Sequence, residues 1–212
     1  MTRRLLLIVL AAWLACPPSV RAQERLGAIP PDKMTPAQKQ AVEEFTKTRR
    51  NGPFGFWWGY LRVPEVMIPF LEIQTHIHGV METEKGALGE KLTHFAMLIA
   101  AREWTQNVIW DLHDKNALKA GLKEETLAAL AAGRRPPMSE DEAIVYDFCI
   151  ELQRNRSVSD ETYTRMLSRF GERGVAEATL IQGEYTIMSM FMNVARTPLD
   201  PKTPPPLKPF PR

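Results

Sequence analysis

The segment from Glu103 to Lys115 carries the residues whose types and spacing best suit proton-transfer chemistry. Gln106, Trp110 and His113 follow one another at intervals of four and three, so one face of a helix presents all three. Burial of an imidazole beside an indole lowers its pKa and leaves it neutral, able to accept or relay a proton near neutral pH. His113 is therefore a candidate general acid/base. The alternative is a core histidine that hydrogen-bonds to a carbonyl.

The neighbouring face of the same helix is also apolar. Trp104, Val108 and Leu112 recur there at intervals of four. A helix that is apolar over so much of its circumference is typical of a buried element. We therefore predict that this helix is largely buried.

Two further ionisable side chains lie on helix faces that are otherwise apolar. His94 shares its face with Met97 and Ala101, which favours a pocket, an interface or a packed core position. Glu184 belongs to an apolar stripe of the last long helix, where desolvation would raise its pKa; the alternative is a rim position that reaches water. His94 and His113 meet only if the chain bends back between them, whereas one straight helix would keep them apart.

The histidine and cysteine spacings argue against metal and dithiol chemistry. His76 and His78 are two residues apart, so on a helix their side chains diverge by about 200° and cannot chelate one ion together. The sequence contains no HExxH or CxxC motif. We predict no metal and no other cofactor. Cys149 lies in an apolar helix without an adjacent base, which is typical of an inert packed thiol; peroxidase activity through Cys149 is the remotest alternative.

The elements that must position these residues are helical. Apolar residues recur with a helical period nearly throughout, capping boxes begin at Thr35 and Ser139, and no segment alternates as a strand. We predict an all-α, single-domain bundle of about seven helices. The predicted helices cover residues 35–49, 64–79, 86–120 with a break near Arg102, 123–132, 139–154, 159–170 and 172–196.

Composition and the two ends of the chain narrow the classes of function. The 212 residues are 44% hydrophobic with a formal net charge of +2, which gives no electrostatic basis for binding nucleic acid. Residues 1–22 combine two arginines, a short apolar run and a small residue at Ala22, the pattern of a cleaved signal peptide that is too short to remain in a membrane. We predict export to the periplasm or the medium; lipid attachment at Cys16 is the alternative. The helical domain then spans residues 23–197, and 198–212 form a proline-rich extended tail.

Several stretches, taken in order, resemble the carboxymuconolactone decarboxylase and alkylhydroperoxidase-D-like family. The resemblance covers most of residues 45–197, although no single motif is highly specific. The stretches are Ala96 to Ala101, Ile109 to His113, Ala117 to Leu122, Glu124 to Ala132 and Ala178 to Asn193, together with Gly52-Pro53-Phe54 and Val63-Pro64-Glu65.

The resemblance implies an all-helical fold of the alkylhydroperoxidase-D type that assembles as trimers or hexamers, and it separates two chemistries. The peroxidase branch has a CxxC pair, and those positions here hold Gln106 and Ile109; the position of its glutamate holds His94. The decarboxylase branch has a Trp-x-x-His pattern, which Trp110 and His113 match, but its glutamate before the tryptophan is Ile109 here. The resemblance therefore favours the decarboxylase branch with an altered substrate.

Together these observations predict a lyase or isomerase that acts by proton transfer on a small carboxylated or lactone-type molecule. His113 is the predicted acid/base and His94 its partner. The predicted substrate contacts are Trp110, Gln106, Trp57 and Glu184. The alternative is a non-catalytic small-molecule binding or assembly protein of the same fold, which the missing thiols and replaced glutamates favour.

Overall fold

A computed structural model of the protein describes residues 24–83 and 85–209. The predicted signal peptide, its cleavage site at Ala22 and the alternative lipid site at Cys16 lie outside these residues. Within the described ranges the chain is all-helical, with eight α-helices and no strand. The all-α prediction is confirmed. The helix beyond the seven predicted is a single turn inside the aromatic segment before Pro64.

The eight helices follow one another through short connections. A π-helical turn, Ile77–Met81, continues α3 directly, and a 3-10 turn, Pro31–Lys33, precedes α1. The α-helices are α1 Pro36–Thr48, α2 Trp57–Tyr60, α3 Pro64–His76, α4 Gly89–Glu103, α5 Asn107–Lys119, α6 Glu124–Ala131, α7 Glu140–Asn155 and α8 Asp160–Ala195.

Helix ends follow from the local sequence. Thr35 and Ser139 form the predicted capping boxes of α1 and α7. The last two predicted helices are both present, but they run on as α8 across a kink at Gly171, whose φ of 67° is the left-handed conformation that glycine adopts without a Cβ clash. The predicted break near Arg102 is a tight turn at 104–106, where Thr105 has a φ of 49°.

Helix α4 is the centre of the bundle. Every residue from Leu92 to Arg102 is buried, and α4 packs against α5, α7 and α8. Two polar residues of α8, Gln182 and Ser189, are buried against the core: the Gln182 side chain donates to the Ala96 carbonyl oxygen at 2.7 Å, and Gln153 of α7 donates to Gln182 and to the partly buried Thr186. These hydrogen bonds satisfy the polar groups that α8 places against the core.

Two features differ from what the sequence predicts or extend it. The prediction that α5 is buried on two faces is wrong for Leu112, which is 48% exposed; Val108 on the same face is partly buried, whereas the face with Trp110 and His113 packs fully against the bundle. The described part of the tail, 198–209, contains no helix and packs against the α4–α5 turn. There the Leu207 backbone N–H donates to Asn107 at 2.8 Å.

Among the described helices, none combines the length and the apolar character needed to span a bilayer.

Candidate active site

The α4–α5 turn brings two of the predicted site residues into contact. His94 lies on α4 and His113 on α5, and their Nδ1 atoms are 3.4 Å apart. The chain therefore bends back between them, which was the condition for the two histidines to share a site. Both side chains are buried.

A carboxylate and a third histidine join them from the end of α3. His78 lies in the π-helical turn and Glu82 directly follows it. Glu82 Oε1 is 2.8 Å from His78 Nδ1 and 3.6 Å from His94 Nδ1. Single π turns occur frequently at functional sites because they redirect side chains without ending the helix. Here the turn places His78 and Glu82 on the same side as His94.

Tyr185 of α8 completes the cluster on the other side of His113. Its hydroxyl oxygen is 3.2 Å from His113 Nε2, and the two rings meet edge to face. Burial raises the pKa of Tyr185 well above its ordinary value, with Glu184 adding to the effect, so the phenol is neutral. His113 thus has a polar partner at each ring nitrogen. We call Glu82, His78, His94, His113 and Tyr185 the histidine cluster.

The electrostatics of the cluster keep the inner imidazoles neutral. Burial lowers the pKa of His113 well below its usual 6.5, and nearby His78 and His94 lower it further. Burial also lowers the pKa of His94, although Glu82 and Glu90 oppose the effect. A neutral imidazole has one nitrogen that donates and one that accepts a hydrogen bond.

Two hydrogen-bond arrangements of the cluster are consistent with these contacts. In the first, the Tyr185 hydroxyl donates to His113 Nε2, and the Nδ1 proton of His113 faces His94 Nδ1. In the second, Nε2 of His113 carries the proton and donates to the Tyr185 oxygen, while the Nδ1 proton of His94 faces His113. One proton occupies the gap between the two Nδ1 atoms in either case. Exchange from the first arrangement to the second moves a proton from Tyr185 to His113 and another from His113 to His94; Tyr185 then takes up one proton from outside the cluster and His94 Nε2 releases one.

The histidine cluster borders a cavity of about 170 Å³. Its apolar walls are aromatic and aliphatic, and the exposed side chains of Phe54 and Leu112 lie at its opening. The predicted wall residue Trp57 lies here and is fully buried. The lining residues are Phe54, Phe56, Trp57, Leu112 and Met188, with the polar side chains of Arg49, Gln74, His78, His113 and Tyr185.

Glu184 is buried behind this cavity and does not line it. Neither carboxyl oxygen has a hydrogen-bond partner among the described residues. Burial raises the pKa of Glu184 from 4.5 to about 7, although the adjacent Gln74 amide, His78 and Arg49 oppose the rise. The Gln74 amide nitrogen donates to Met188 Sδ at 3.2 Å. Of the two alternatives for Glu184, the structure shows the buried one.

The other predicted contacts lie away from the cavity. Gln106 caps the N-terminus of α5, where its side-chain oxygen accepts from the Val108 backbone N–H at 2.9 Å. Trp110 is buried in the core and is not part of the cavity wall. The sequence predicts a substrate contact for Gln106 because it shares a helix face with His113. Gln106 lies at the N-terminal end of that face, where it caps the helix, and His113 lies two turns further along, at the cavity.

The one cysteine in the described part of the chain has the environment of a packed core residue. Cys149 has no exposed surface, and burial raises the pKa of its thiol far above the ordinary value. The thiolate is the reactive form of cysteine. Cys149 is thus poorly suited to reduce a peroxide.

Three members of the histidine cluster also form a set of metal-ligand types. Glu82, His94 and His113 each place one ligand atom within 4.8 Å of the other two. Two imidazoles and a carboxylate are the protein ligands of several zinc and iron sites, so these residues could hold a divalent ion. The sequence spacing gave no indication of this set, because its members come from three separate elements.

Sequence reasoning missed Glu82, Tyr185, Arg49 and Gln74 as site residues. One local signal was available, since His78 and Glu82 are four apart and meet on a continuous helix. Tyr185 and Arg49 carry no such signal, because their partners lie 72 and 25 residues away in the chain.

Comparison of this chain with protein-family models, with curated proteins and with solved structures finds no match.

Proposed function

We propose that the protein is a lyase or isomerase that moves a proton to or from a small carboxylated or lactone-type molecule bound in the cavity. The observation that carries the proposal is the position of His113. This side chain borders an apolar cavity while its two nitrogens face Tyr185 and His94. A buried imidazole with a relay behind it is the arrangement that general acid/base catalysis needs.

Two reactions, an isomerisation and a decarboxylation, fit this site. In an isomerisation, His113 accepts a proton from one carbon of the substrate and returns it to another, and the substrate carbonyl carries the electron pair between the two steps. In a decarboxylation, the C–C bond to the carboxylate breaks, CO₂ leaves, and the electron pair moves into a conjugated carbonyl. The cluster then donates one proton to carbon. His113 Nε2, or the Tyr185 hydroxyl bonded to it, delivers this proton; His113 Nδ1 takes a proton from His94 Nδ1 in the same step, and His94 regains one from solvent, so all three groups end neutral.

The test is CO₂ release and solvent-deuterium incorporation, measured by NMR with a carboxymuconolactone-type lactone acid and related small ring acids. We expect at least one substrate to turn over in the presence of EDTA. Activity that disappears in EDTA and returns with Zn²⁺ or Fe²⁺ would replace the proposal with a metal-centred reaction at Glu82, His94 and His113. Saturable binding without product across the panel would favour the non-catalytic binding protein.

We propose further that the chain forms a homo-oligomer, a trimer or a hexamer, through α8. While Gln182 and Ser189 of this helix face the core, four large apolar side chains face outward and are 43–59% exposed. They recur at intervals of seven, three and four, so they form one stripe of the kind that a protein partner covers. The stripe consists of Leu180, Ile187, Met190 and Val194.

A charge in this stripe should separate the subunits. We expect Ile187→Glu to lower the mass measured by light scattering to that of a single chain, because an interface cannot bury an unpaired carboxylate without a large free-energy cost. Ile73→Glu, at an exposed apolar residue of α3, is the matched control. A single-chain mass for the unmodified protein would contradict the proposal.

The export proposal rests on the sequence pattern of residues 1–22. It implies that the site works outside the cytoplasm, on molecules that reach that compartment.

A further inference from the structure

Arg49 is the one lining residue of the cavity with a permanent positive charge. It follows the last residue of α1, and its guanidinium lies 5.9 Å from the centre of the Trp57 ring. One terminal nitrogen donates to Gln74 Oε1 at 3.1 Å. Because the Gln74 amide nitrogen donates to Met188, the amide oxygen is held toward Arg49. These contacts fix the guanidinium in place.

No carboxylate of the described residues lies within ion-pair distance of Arg49; Glu184 acts on its charge from farther away, and burial raises the pKa of that carboxyl to about 7. Five other arginines form direct ion pairs: Arg135 and Arg165 with Asp147, Arg154 with Glu103, Arg169 with Asp141 and Arg173 with Glu177. No such pair includes Arg49, although its side chain is half-buried. A positive charge that is partly removed from water is costly unless an anion compensates for it.

Two buried N–H donors of this region also lack acceptors. Arg49 Nε and Trp57 Nε1 are both buried, and neither has a hydrogen-bond partner among the described residues. Both residues line the same cavity, but neither nitrogen has surface open to it, so a ligand accepts hydrogen bonds from them only after a side-chain movement. Unpaired buried donors are uncommon in folded proteins and call for a specific explanation. A carboxylate offers two acceptor oxygens and the negative charge that Arg49 lacks.

We infer that Arg49 and Trp57 bind a carboxylate of the substrate, and that this substrate is a small acid with a single ring. The inference rests on the proposed function and identifies its substrate class. A cavity of about 170 Å³ is close to the roughly 150 Å³ that accommodates benzene in another protein. The aromatic walls suit a flat ring, and the one permanent charge suits one carboxylate.

The chemistry of the cavity also determines which carboxylate Arg49 binds. An ion pair that forms equally in the ground state and the transition state anchors the substrate without lowering the barrier. Pairing with the carboxylate that leaves as CO₂ would oppose the reaction, since the negative charge must move away from it. The carboxylate on Arg49 is therefore one that the reaction leaves intact. A decarboxylated substrate would be a diacid, whereas an isomerised one needs a single carboxylate.

Binding of benzoate, measured by isothermal titration calorimetry in EDTA, tests the inference without requiring turnover. We expect saturable binding by the unmodified chain, and binding about 10–100-fold weaker for Arg49→Gln, because a charge-assisted bidentate contact is lost. Arg50→Gln, at the exposed neighbouring residue, should bind as the unmodified chain does. Trp57→Phe keeps a ring but removes the N–H donor, so it should weaken binding by a smaller factor. Benzamide, which has the same ring without the charge, should bind weakly and lose little with Arg49→Gln.

The outcomes separate this inference from the proposed function. Circular dichroism must show that Arg49→Gln is folded; if it is not, Arg49→Lys provides the same comparison with the charge retained and the bidentate geometry lost. Absence of benzoate binding, or equal binding by folded Arg49→Gln, would overturn the inference. Benzoate binding that depends on Arg49 in a protein without turnover would support the inference while the proton-transfer proposal fails.

Discussion

Replacing His113 with asparagine should lower kcat by about 10²–10⁴-fold on whichever small ring acid the protein turns over. Asparagine retains a polar group toward His94 Nδ1, which lies 3.4 Å from His113 Nδ1, but it cannot exchange a proton near neutral pH. KM should change little, because the proposed substrate anchors are Arg49 and Trp57. The measurement is steady-state kinetics on CO₂ release or deuterium incorporation.

The controls for His113→Asn come from the same region of the chain. His76→Asn alters an exposed histidine at the end of α3 and should leave kcat unchanged. Tyr185→Phe retains the ring but removes the hydroxyl that faces His113 Nε2. A large loss of kcat in Tyr185→Phe would indicate that the Tyr185 hydroxyl delivers the proton. A small loss of kcat would indicate that His113 Nε2 delivers it. An unchanged kcat in a folded His113→Asn protein would show that His113 is a packed core histidine and not the acid/base.

His94→Gln examines the relay within the same experiment. His94 is the cluster residue next to both Glu82 and His113, so its loss should slow the return of His113 to its starting protonation state. The effect should therefore be smaller than that of His113→Asn and should appear in kcat.

Local sequence signals predicted the helices and the burial of the helix face that carries His113. Capping residues at Thr35 and Ser139, together with helical periodicity, depend on neighbours within a few positions, and the corresponding helices begin where predicted. His113 was identified because an imidazole shares a face with buried residues of the same helix, and that face is buried.

The remaining site residues depend on contacts that the sequence pattern does not encode. Glu82 reaches His94 only because the π-helical turn and the α4–α5 turn bring three elements together. Arg49 joins the cavity from the end of α1, far from His113 in the chain. The orientation of α8 was also not evident, because the polar Gln182 is hydrogen-bonded inside the bundle by Gln153 and a backbone carbonyl.

Replacing Glu184 with glutamine should stabilise the protein more at pH 8 than at pH 4, with stability measured relative to the unmodified chain at each pH. Burial raises the pKa of Glu184 from 4.5 to about 7. Below pH 4.5 the carboxyl is protonated in both the folded and unfolded states, so it carries no ionisation penalty. As the pH rises toward 7, the unfolded chain releases the proton while the folded protein retains it, so stability falls; above pH 7 the penalty is constant. The size of this shift corresponds to about 3 kcal/mol.

The comparison isolates Glu184 because other pH-dependent groups are shared by the two proteins. His113, whose pKa is lowered by burial, reduces stability as the pH falls below 6.5, and it does so in both. The free energy of unfolding, obtained from urea titrations at pH 4 to 8, should therefore give a difference that grows by about 3 kcal/mol across this range. Glu172→Gln, at an exposed glutamate of α8, should give a nearly constant difference. A constant difference for Glu184→Gln as well would mean that the carboxylate ionises at its ordinary pKa in the folded protein, and hence that water or a cation reaches it.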